Sequence, residues 1–196
     1  MPKVDHRRFY LNAYENYGVT PKGVCWNSEK NQYTRFAQVL AILKDIQNCS
    51  VVDVGCGFGD LYLYMQKYKR IPKRYIGIDN IEEFVEIAKE RTKQEILCKD
   101  VLYDKLPKAD YYICNGALNT LTKFESFLFI KRAMQHSKKG FVFNFLEGKK
   151  ESDVYNYIAY NELEEIVDQF GGKIFYRVKG YIKNDMTVGI CARSLE

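Results

Sequence analysis

From residue 50 onward, the sequence alternates between short segments rich in strand-forming residues and longer segments with apolar residues at helical spacing. Alternating strands and helices predict βαβ units, in which helices cover both faces of a parallel sheet. The predicted elements are, in chain order, strand 51–54, helix 60–68, strand 74–79, helix 81–93, strands 95–100 and 109–116, helix 123–137, strand 140–146 and helix 160–170. We therefore expect an α/β fold with a doubly wound, mostly parallel sheet.

The two ends of the chain depart from this alternation. Residues 5–17 and 29–47 carry apolar residues at helical spacing before the first strand, and Ser28 can cap the second helix. Residues 173–181 and 186–194 predict a terminal β-hairpin, so one strand should run antiparallel near an edge of the sheet.

The length and composition favour one domain. A chain of 196 residues with 46% apolar and 28% charged residues can bury a sizeable core, as an ordinary globular protein does. No linker or internal repeat divides it. We expect a single domain over residues 1–196, with an N-terminal helical cap at 1–48 and a core at 49–194.

The charge balance is mildly basic, at +5 with a sequence pI near 8.7. Dedicated nucleic-acid domains usually have a pI above ~9, so RNA is a possible partner but not a favoured one. No apolar run approaches the ~18 residues of a membrane helix, and the charged N-terminus is unlike a signal peptide.

The cysteines predict neither a metal site nor disulfides. No CxxC pair is present, and no histidine lies at metal-ligand spacing. Most of the cysteines lie in apolar, strand-like contexts, where a free thiol behaves as a small buried side chain. We expect a reducing, cytoplasmic location. The six are Cys25, Cys49, Cys56, Cys98, Cys114 and Cys191.

A glycine-rich loop directly follows the first predicted strand, in the stretch "VVDVGCGFGD". In an open parallel sheet, ligands bind beyond the carboxyl ends of the strands. Gly55 and Gly57 would allow the backbone to approach a ligand closely, and Gly59 would allow the next helix to pack tightly. The loop therefore predicts a binding site at this edge of the sheet.

Acidic residues are predicted near this loop at two places, the end of the second strand and the two flanks of the loop itself. Asp79 ends the second strand, 20 residues after Gly59, where a carboxylate can accept hydrogen bonds from ribose hydroxyls. The loop itself reads G-x-G-x-G rather than the dinucleotide pattern G-x-G-x-x-G, and Asp53 and Asp60 flank it. Acids on both sides would repel a pyrophosphate and would suit a nucleoside with a cationic centre and an ammonium group, such as S-adenosylmethionine.

Four segments together resemble the class I S-adenosylmethionine-dependent methyltransferases. They are "VVDVGCGFGD", "YIGIDN", "LCKDVL" and "ADYYICNGALNTL", in the order and spacing of that family's four motifs. The resemblance covers about three quarters of the chain. It implies a Rossmann-like fold with a seven-stranded sheet, an N-terminal helical lid and methyl transfer from S-adenosylmethionine.

The resemblance assigns the first motif to the methionine part of the cofactor. The backbone of Gly55, Cys56 and Gly57 would line it. Asp53 would anchor the loop or contact the amino group indirectly, and Asp60 would belong to the same site.

The second and third motifs would hold the nucleoside. Asp79 would bind the ribose hydroxyls, with Asn80 and Ile81 beside the adenine. Asp100 would accept from the adenine amino group and Val101 would donate its backbone N–H to the ring. Asp100 has a structural alternative, since it can cap the turn that follows.

The remaining predicted site residues come from the fourth strand and the N-terminal helices. Asn115 and Gly116 would lie near the reacting methyl group, and Asn115 is the candidate catalytic residue. Arg35 could pair with the cofactor carboxylate, and Trp26 could belong to a lid together with Gln32. The competing roles are a turn position for Asn115, an exposed charge for Arg35 and a core position for Trp26.

The acceptor is predicted by elimination. The fourth motif reads "NGAL" at 115–118, whereas enzymes that methylate base amines or glutamine amides carry [ND]-P-P-[YFW], and no Pro-Cys nucleophile is present. The Lys-Asp-Lys-Glu pattern of ribose methylation also fails, because Asn115 replaces the acid. No general base stands out, so positioning should dominate catalysis.

A small-molecule acceptor is the leading hypothesis. Its pocket would be walled by the N-terminal helices and residues 147–160, with Tyr155, Tyr157 and Tyr160 as lining candidates. Three competing hypotheses are an RNA or protein methyltransferase, a nicotinamide-dependent oxidoreductase and a non-catalytic cofactor binder. Oligomeric state is not predicted.

Overall fold

The computed structural model describes residues 5–193. Residues 1–4 of the predicted cap and Ser194, the last residue of the predicted core, lie outside the described residues. The helices are α1 (His6–Tyr17), α2 (Glu29–Ile42), α3 (Asp60–Lys67), α4 (Glu82–Thr92), α5 (Lys123–His136) and α6 (Tyr160–Gln169). The strands are β1 (Ser50–Val54), β2 (Arg74–Asp79), β3 (Glu95–Cys98), β4 (Ala109–Asn115), β5 (Ser137–Glu147), β6 (Tyr157–Ile158), β7 (Gly172–Lys179) and β8 (Asp185–Ala192).

The strands form one sheet in the order β3-β2-β1-β4-β5-β8-β7, and β6 pairs with the end of β5. Strand β8 is antiparallel to both of its neighbours, and the other pairings are parallel. The predicted mostly parallel sheet and closing hairpin are confirmed. The sheet has eight strands, one more than predicted. The additional strand is β6, whose two residues are too few to show a periodic pattern in the sequence.

Helix α2 is shorter than predicted. Ser28 caps it, since its Oγ accepts a hydrogen bond from the Asn31 backbone N–H at 3.1 Å. The helix ends at Ile42 instead of residue 47, and a short 3-10 turn follows. Leu43 and Ile46 are both buried, so the chain changes direction here to bring both side chains into the core.

Helices cover the sheet on both faces, as a doubly wound fold requires. Successive residues of β1 point to opposite faces: Val51 packs among apolar residues of α2, α3 and α4, and Val52 packs among those of α5 and α6. Because α2 contributes Phe36 and Leu40 to this core, it is part of the folded body as well as of the predicted cap.

Helix α1 packs over the glycine loop, and a cluster of aromatic side chains forms the contact. The ring of Phe58, inside the loop, lies 4.7 Å from Phe84 and 5.6 Å from Tyr14 of α1, between centroids. Burial of these rings stabilises α1 on the carboxyl edge of the sheet. No helix within residues 5–193 is long and apolar enough to span a membrane.

Candidate functional site

A cavity of about 230 Å³ opens at the carboxyl ends of β1, β2 and β4. All fourteen predicted site residues line this one cavity. They are Trp26, Arg35, Asp53, Gly55, Cys56, Gly57, Asp60, Asp79, Asn80, Ile81, Asp100, Val101, Asn115 and Gly116. The fold therefore brings together residues that are up to 90 positions apart in the sequence, from Trp26 to Gly116.

The glycine loop needs its glycines. Gly55, Gly57 and Gly59 have φ of +73°, +53° and +79°, a region that disfavours side chains. A Cβ on Gly55 would lie 2.7 Å from the Ala117 Cβ, and one on Gly59 would lie 2.4 Å from Thr92 of α4. The loop is thus closely packed on both sides, and Gly59 packs against α4 rather than only against its own helix.

Asp79 joins the ends of β1 and β2. Its Oδ2 accepts from the Gly57 N–H at 2.9 Å, and its Oδ1 accepts from the Ile81 N–H at 3.1 Å. Burial raises the pKa of Asp79, and these backbone hydrogen bonds oppose the rise. Each carboxylate oxygen has a second lone pair, so the group keeps the capacity to bind a diol.

Asp53 is an internal anchor. It is buried in β1, and its Oδ2 accepts from the Tyr75 hydroxyl at 2.7 Å. Burial, together with the nearby charges of Asp79 and Asp60, raises the pKa of Asp53 to about 7 against the effect of the Tyr75 bond.

Asp60 is paired within the protein. Gln32 donates to its Oδ2 at 2.9 Å, and the Arg91 guanidinium lies 2.8 Å from its Oδ1. No spacing in the sequence indicates that Arg91, in the last turn of α4, pairs with Asp60. The two acids that flank the loop therefore carry less negative charge than the sequence predicts, because Arg91 compensates Asp60 and burial raises the pKa of Asp53 to about 7.

The predicted N-terminal lid is held in place by an ion pair between two residues that lie far apart in the sequence. Arg35 donates through Nε and Nη2 to the carboxylate of Asp185, the first residue of β8, with an Nη2–Oδ1 distance of 2.7 Å. Its guanidinium carbon lies 4.6 Å from the Trp26 ring centroid. The Arg35 side chain is only 13% exposed, so it is not an exposed helix charge. No pattern in the sequence pointed to Asp185.

Trp26 covers the end of β4. A Cβ on Gly116 would lie 3.3 Å from the Trp26 ring, and the φ of Gly116 is +85°. Trp26 is half-buried, so it is neither fully exposed nor a core residue. Glycine at position 116 therefore allows the lid to approach the strand end.

Asp100 has the turn role that competed with cofactor contact. Its Oδ1 accepts from the Leu102 N–H at 2.8 Å. It also lines the cavity, so both roles are compatible.

Val101 is held by Arg132, whose Nε donates to the Val101 carbonyl at 2.7 Å. Of the nearby second-motif residues, Ile81 is buried and Asn80 is exposed.

Asn115 lies at the end of β4, beside a residue that sequence reasoning missed. Asn144 of β5 is 1% exposed, and its Nδ2 donates to the Asn115 Oδ1 at 2.7 Å. A lone asparagine within the apolar strand "GFVFNFL" was the available signal. Among residues 5–193, Asn115 Nδ2, Asn144 Oδ1 and the cavity-lining Asn119 Oδ1 have no hydrogen-bond partner.

The rest of the wall comes from α1 and from the segments that follow β4 and β5. His6, Tyr10, Thr120 and Tyr155 line it, and His6 Nδ1 lies 3.3 Å from the Thr120 hydroxyl. Burial raises the pKa of Tyr10, which keeps its hydroxyl protonated. Neither Tyr157 nor Tyr160 lines this cavity.

The described residues hold no cluster of three or more His, Cys, Asp or Glu side chains that could bind a metal ion. The polar groups of the site are those of the glycine loop, the carboxylates and the amides described above.

In open α/β sheets ligands bind at the switch point of the strand order, where this cavity lies, and nucleoside-containing cofactors are among them. Residues 45–169 match the family model described as a methyltransferase domain, and the chain belongs to this family. No curated protein is significantly similar to it in sequence.

Solved structures share its fold. Magnesium protoporphyrin IX methyltransferase from Synechocystis PCC 6803 with bound S-adenosylmethionine is 13% identical at a TM-score of 0.73, covering 98% of this chain and 99% of that one. A putative methyltransferase in complex with the Trm112 activator of Haloferax volcanii is 13% identical at 0.74, covering 94% and 98%. An S-adenosylmethionine-dependent methyltransferase from Clostridium acetobutylicum is 11% identical at 0.66, covering 96% and 99%.

These findings confirm the predicted family, fold class, enzyme class and cofactor. The protein is an S-adenosylmethionine-dependent methyltransferase. The roles of individual site residues stay predictions.

Proposed function

We propose that this enzyme transfers a methyl group from S-adenosylmethionine to a small-molecule acceptor by in-line displacement. The observation that carries the proposal is the charge of the covered cavity. Five carboxylates and two Lys or Arg side chains line it. Even with Asp60 compensated by Arg91 and the pKa of Asp53 raised to about 7, three carboxylates remain against Lys99 and an Arg35 that Asp185 already pairs, so the positive net charge of the chain is not concentrated there. A polyanion such as RNA would meet an acidic wall, whereas a small molecule can enter beneath α1 and Trp26.

The residues fit the cofactor. A Cβ on Gly55 would crowd Ala117 and one on Gly57 would crowd Val24, whereas glycine leaves the backbone available to line the methionine part. We assign Cys56 to the same wall. Asp79 would hold the ribose hydroxyls through its remaining lone pairs, and Asp53 would support the loop from within the sheet.

The adenine would lie between the second and third motifs. Ile81 supplies an apolar surface, with Asn80 beside it. Asp100 would accept from the adenine amino group through its other oxygen, and the Val101 N–H would donate to the ring. The local bond from the Leu102 N–H to Asp100 would hold the carboxylate in place for this contact.

Arg35 would bind the cofactor carboxylate through Nη1, since Asp185 uses Nε and Nη2. Its position against Trp26 and Asp185 restricts its rotamers, which lowers the entropy lost on binding. Asp60 would act by holding Gln32 and Arg91 around the loop.

Bound S-adenosylmethionine supplies an electrophilic methyl group on a sulfonium centre. The chain's part is to orient the acceptor beside Asn115 and Gly116 and to exclude water with α1 and Trp26. Alignment of this kind can supply about 7–11 kcal/mol of an activation barrier.

We also propose a cytoplasmic location. All six cysteines are free thiols in the structure, as expected in a reducing compartment.

The test is to incubate the purified enzyme with labelled S-adenosylmethionine and three fractions of a cell extract: small metabolites, RNA and protein. We expect label and S-adenosylhomocysteine with the metabolite fraction only, and none of either when Asp79→Ala replaces the native enzyme at the same cofactor concentration. Transfer confined to RNA or protein would refute the small-molecule proposal.

Calorimetric titrations with NAD and with S-adenosylmethionine distinguish a methyltransferase from an oxidoreductase and from a non-catalytic binder. Binding of NAD without binding of S-adenosylmethionine would contradict the cofactor assignment. Binding of S-adenosylmethionine without S-adenosylhomocysteine release in any fraction would indicate a non-catalytic binder.

A further inference from the structure

Two buried polar atoms at the end of β4 have no protein partner among residues 5–193. They are Asn115 Nδ2, a donor, and Asn119 Oδ1, an acceptor, and both residues line the cavity. Buried polar atoms in native proteins are almost always hydrogen-bonded. An unpaired donor and an unpaired acceptor in the wall of one cavity therefore indicate the chemistry of the group that binds there.

Asn144 determines which end of the Asn115 amide remains available. Its Nδ2 donates to the Asn115 Oδ1 at 2.7 Å, from a position with 1% exposure. If both amides were reversed, the unpaired amino group would belong to Asn144, which does not line the cavity and could not be paired by a ligand there. In the observed orientation the unpaired amino group belongs to Asn115, which does line the cavity.

A hydrogen-bond donor at this place discriminates between acceptor atoms. A neutral amine nitrogen has one lone pair, and a hydrogen bond from Asn115 would occupy the electrons that must attack the methyl carbon. An oxygen has at least two lone pairs, so it can accept from Asn115 with one and react with another.

We propose that the acceptor atom is an oxygen bound by Asn115 Nδ2, and that Asn144 is the positioning residue that presents this donor. The inference rests on the proposed small-molecule methyl transfer and adds the acceptor class to it. A hydroxyl group satisfies both unpaired atoms, because its O–H can also donate to Asn119 Oδ1.

The step balances without a further reactant. An oxygen lone pair forms the new bond to the methyl carbon, and the carbon–sulfur bond breaks with its electron pair remaining on sulfur. A hydroxyl then loses its proton to water, whereas a carboxylate has no proton to lose. The product is an ether in the first case and an ester in the second.

The first test identifies the acceptor atom without identifying the acceptor. The enzyme is incubated with S-adenosylmethionine carrying a ¹³C-labelled methyl group and, separately, with the small-metabolite, RNA and protein fractions, and the chemical shift of the transferred methyl is read by NMR. We expect an O-methyl signal that survives alkaline hydrolysis. An N-, S- or C-methyl signal would overturn the proposal.

The remaining outcomes of this test distinguish the role of Asn115 from that of Asn119, and both from the proposed small-molecule function. An O-methyl signal lost in alkali identifies an ester, which supports the role of Asn115 and rejects that of Asn119. Label found only in RNA or protein refutes the small-molecule function, while its chemical shift still reports the acceptor atom. Absence of transfer in every fraction refutes both proposals.

The second test addresses Asn144. In Asn144→Asp, the carboxylate can only accept, so Asn115 must turn its Nδ2 towards it and its Oδ1 towards the cavity. We expect kcat to fall about 100-fold, as for loss of one oriented donor, while the S-adenosylmethionine Kd changes by less than about threefold. The matched control is Asn161→Asp on the exposed surface of α6, with kcat within about twofold of the native value.

A folded Asn144→Asp with native kcat would overturn the positioning role. If that variant fails to fold, as judged by circular dichroism, Asn115→Asp takes its place. It keeps the acceptor for Asn144 and replaces only the unpaired donor, so the same loss of kcat is expected. Retained kcat in Asn115→Asp would overturn the proposal.

Discussion

The two halves of the cavity differ in how their polar groups are satisfied. In the glycine-loop half, built from Gly55 to Asp60 and Asp79, the carboxylates already hold backbone or side-chain partners. In the β4-end half, built from Asn115 to Thr120 and Asn144, three buried amide atoms have no partner within residues 5–193. The first half is preorganised by the protein itself, whereas the second has hydrogen-bonding capacity left for a ligand.

This contrast has a physical cost. An unsatisfied buried polar group costs about 1–3 kcal/mol, so the β4-end half reduces stability unless a ligand fills it. The glycine-loop half avoids that cost but buries acids, which raises the pKa values of Asp79 and of Asp53 beneath it. Substitutions confined to one half or the other can therefore test the two halves separately.

The largest expected effect is the pH dependence caused by Asp53. Its pKa is about 7 in the folded protein and about 4 when unfolded, so the native state holds an extra proton between these values. The free energy of unfolding should fall as the pH rises from 4 to 7 and level off above 7, by up to about 4 kcal/mol. Urea unfolding of the native protein and Asp53→Asn across this range measures the contribution.

Asp53→Asn keeps an acceptor for Tyr75 but cannot ionise. Its unfolding free energy should decline less over the same range, and the difference between the two curves belongs to Asp53. Parallel curves would show that the folded-state pKa of Asp53 is not raised.

Asp79→Ala should weaken binding of S-adenosylmethionine by about 2–4 kcal/mol, since hydrogen bonds to a charged group contribute about 1.5–3 kcal/mol each and do not add fully. The same variant loses the bonds from Gly57 and Ile81, so the free energy of unfolding should also fall by about 1–3 kcal/mol. Calorimetry and urea unfolding measure the two effects.

Asp153→Ala, at an exposed position, is the matched control and should change neither quantity. An affinity of Asp79→Ala within about twofold of the native value would reject the ribose assignment.

Gly55→Ala should destabilise the fold more than Gly171→Ala. Both glycines have φ above +70°, but a Cβ at position 55 would lie 2.7 Å from Ala117, whereas one at position 171 would have nothing within 4 Å. We expect about 1 kcal/mol at position 171 from backbone strain alone, and about 3 kcal/mol at position 55 when overpacking adds to it. Equal losses in urea unfolding would show that the loop can relax.

The smallest effect on stability is expected in the β4-end half. Asn144→Val has a similar volume. It removes a buried oxygen that lacks a partner but leaves the Asn115 Oδ1 without its donor, and because these two effects oppose each other the free energy of unfolding should change by about 1 kcal/mol or less. The kcat should nevertheless fall about 100-fold, as in Asn144→Asp, because Asn115 is no longer oriented. A stability loss above about 3 kcal/mol would show that Asn144 is mainly a structural residue.

Local patterns in the chain were enough to predict the α/β alternation, the glycine loop and Asp79. These features are local, since a strand, a turn and a helix follow one another along the chain and each has its own periodicity or residue preference. Because the carboxyl ends of parallel strands meet at one edge, the same local signals also placed fourteen residues around one cavity.

The pairing of charges and amides, in contrast, is visible only in the folded chain. Arg35 meets Asp185 across 150 residues, Asp60 meets Arg91, and Asn115 meets Asn144 on the adjacent strand. Pairing of side chains depends on the register of strands and the packing of helices, and no spacing in the sequence encodes either. The physical reason is that a hydrogen bond requires atoms within about 3 Å, a distance that only the assembled sheet establishes.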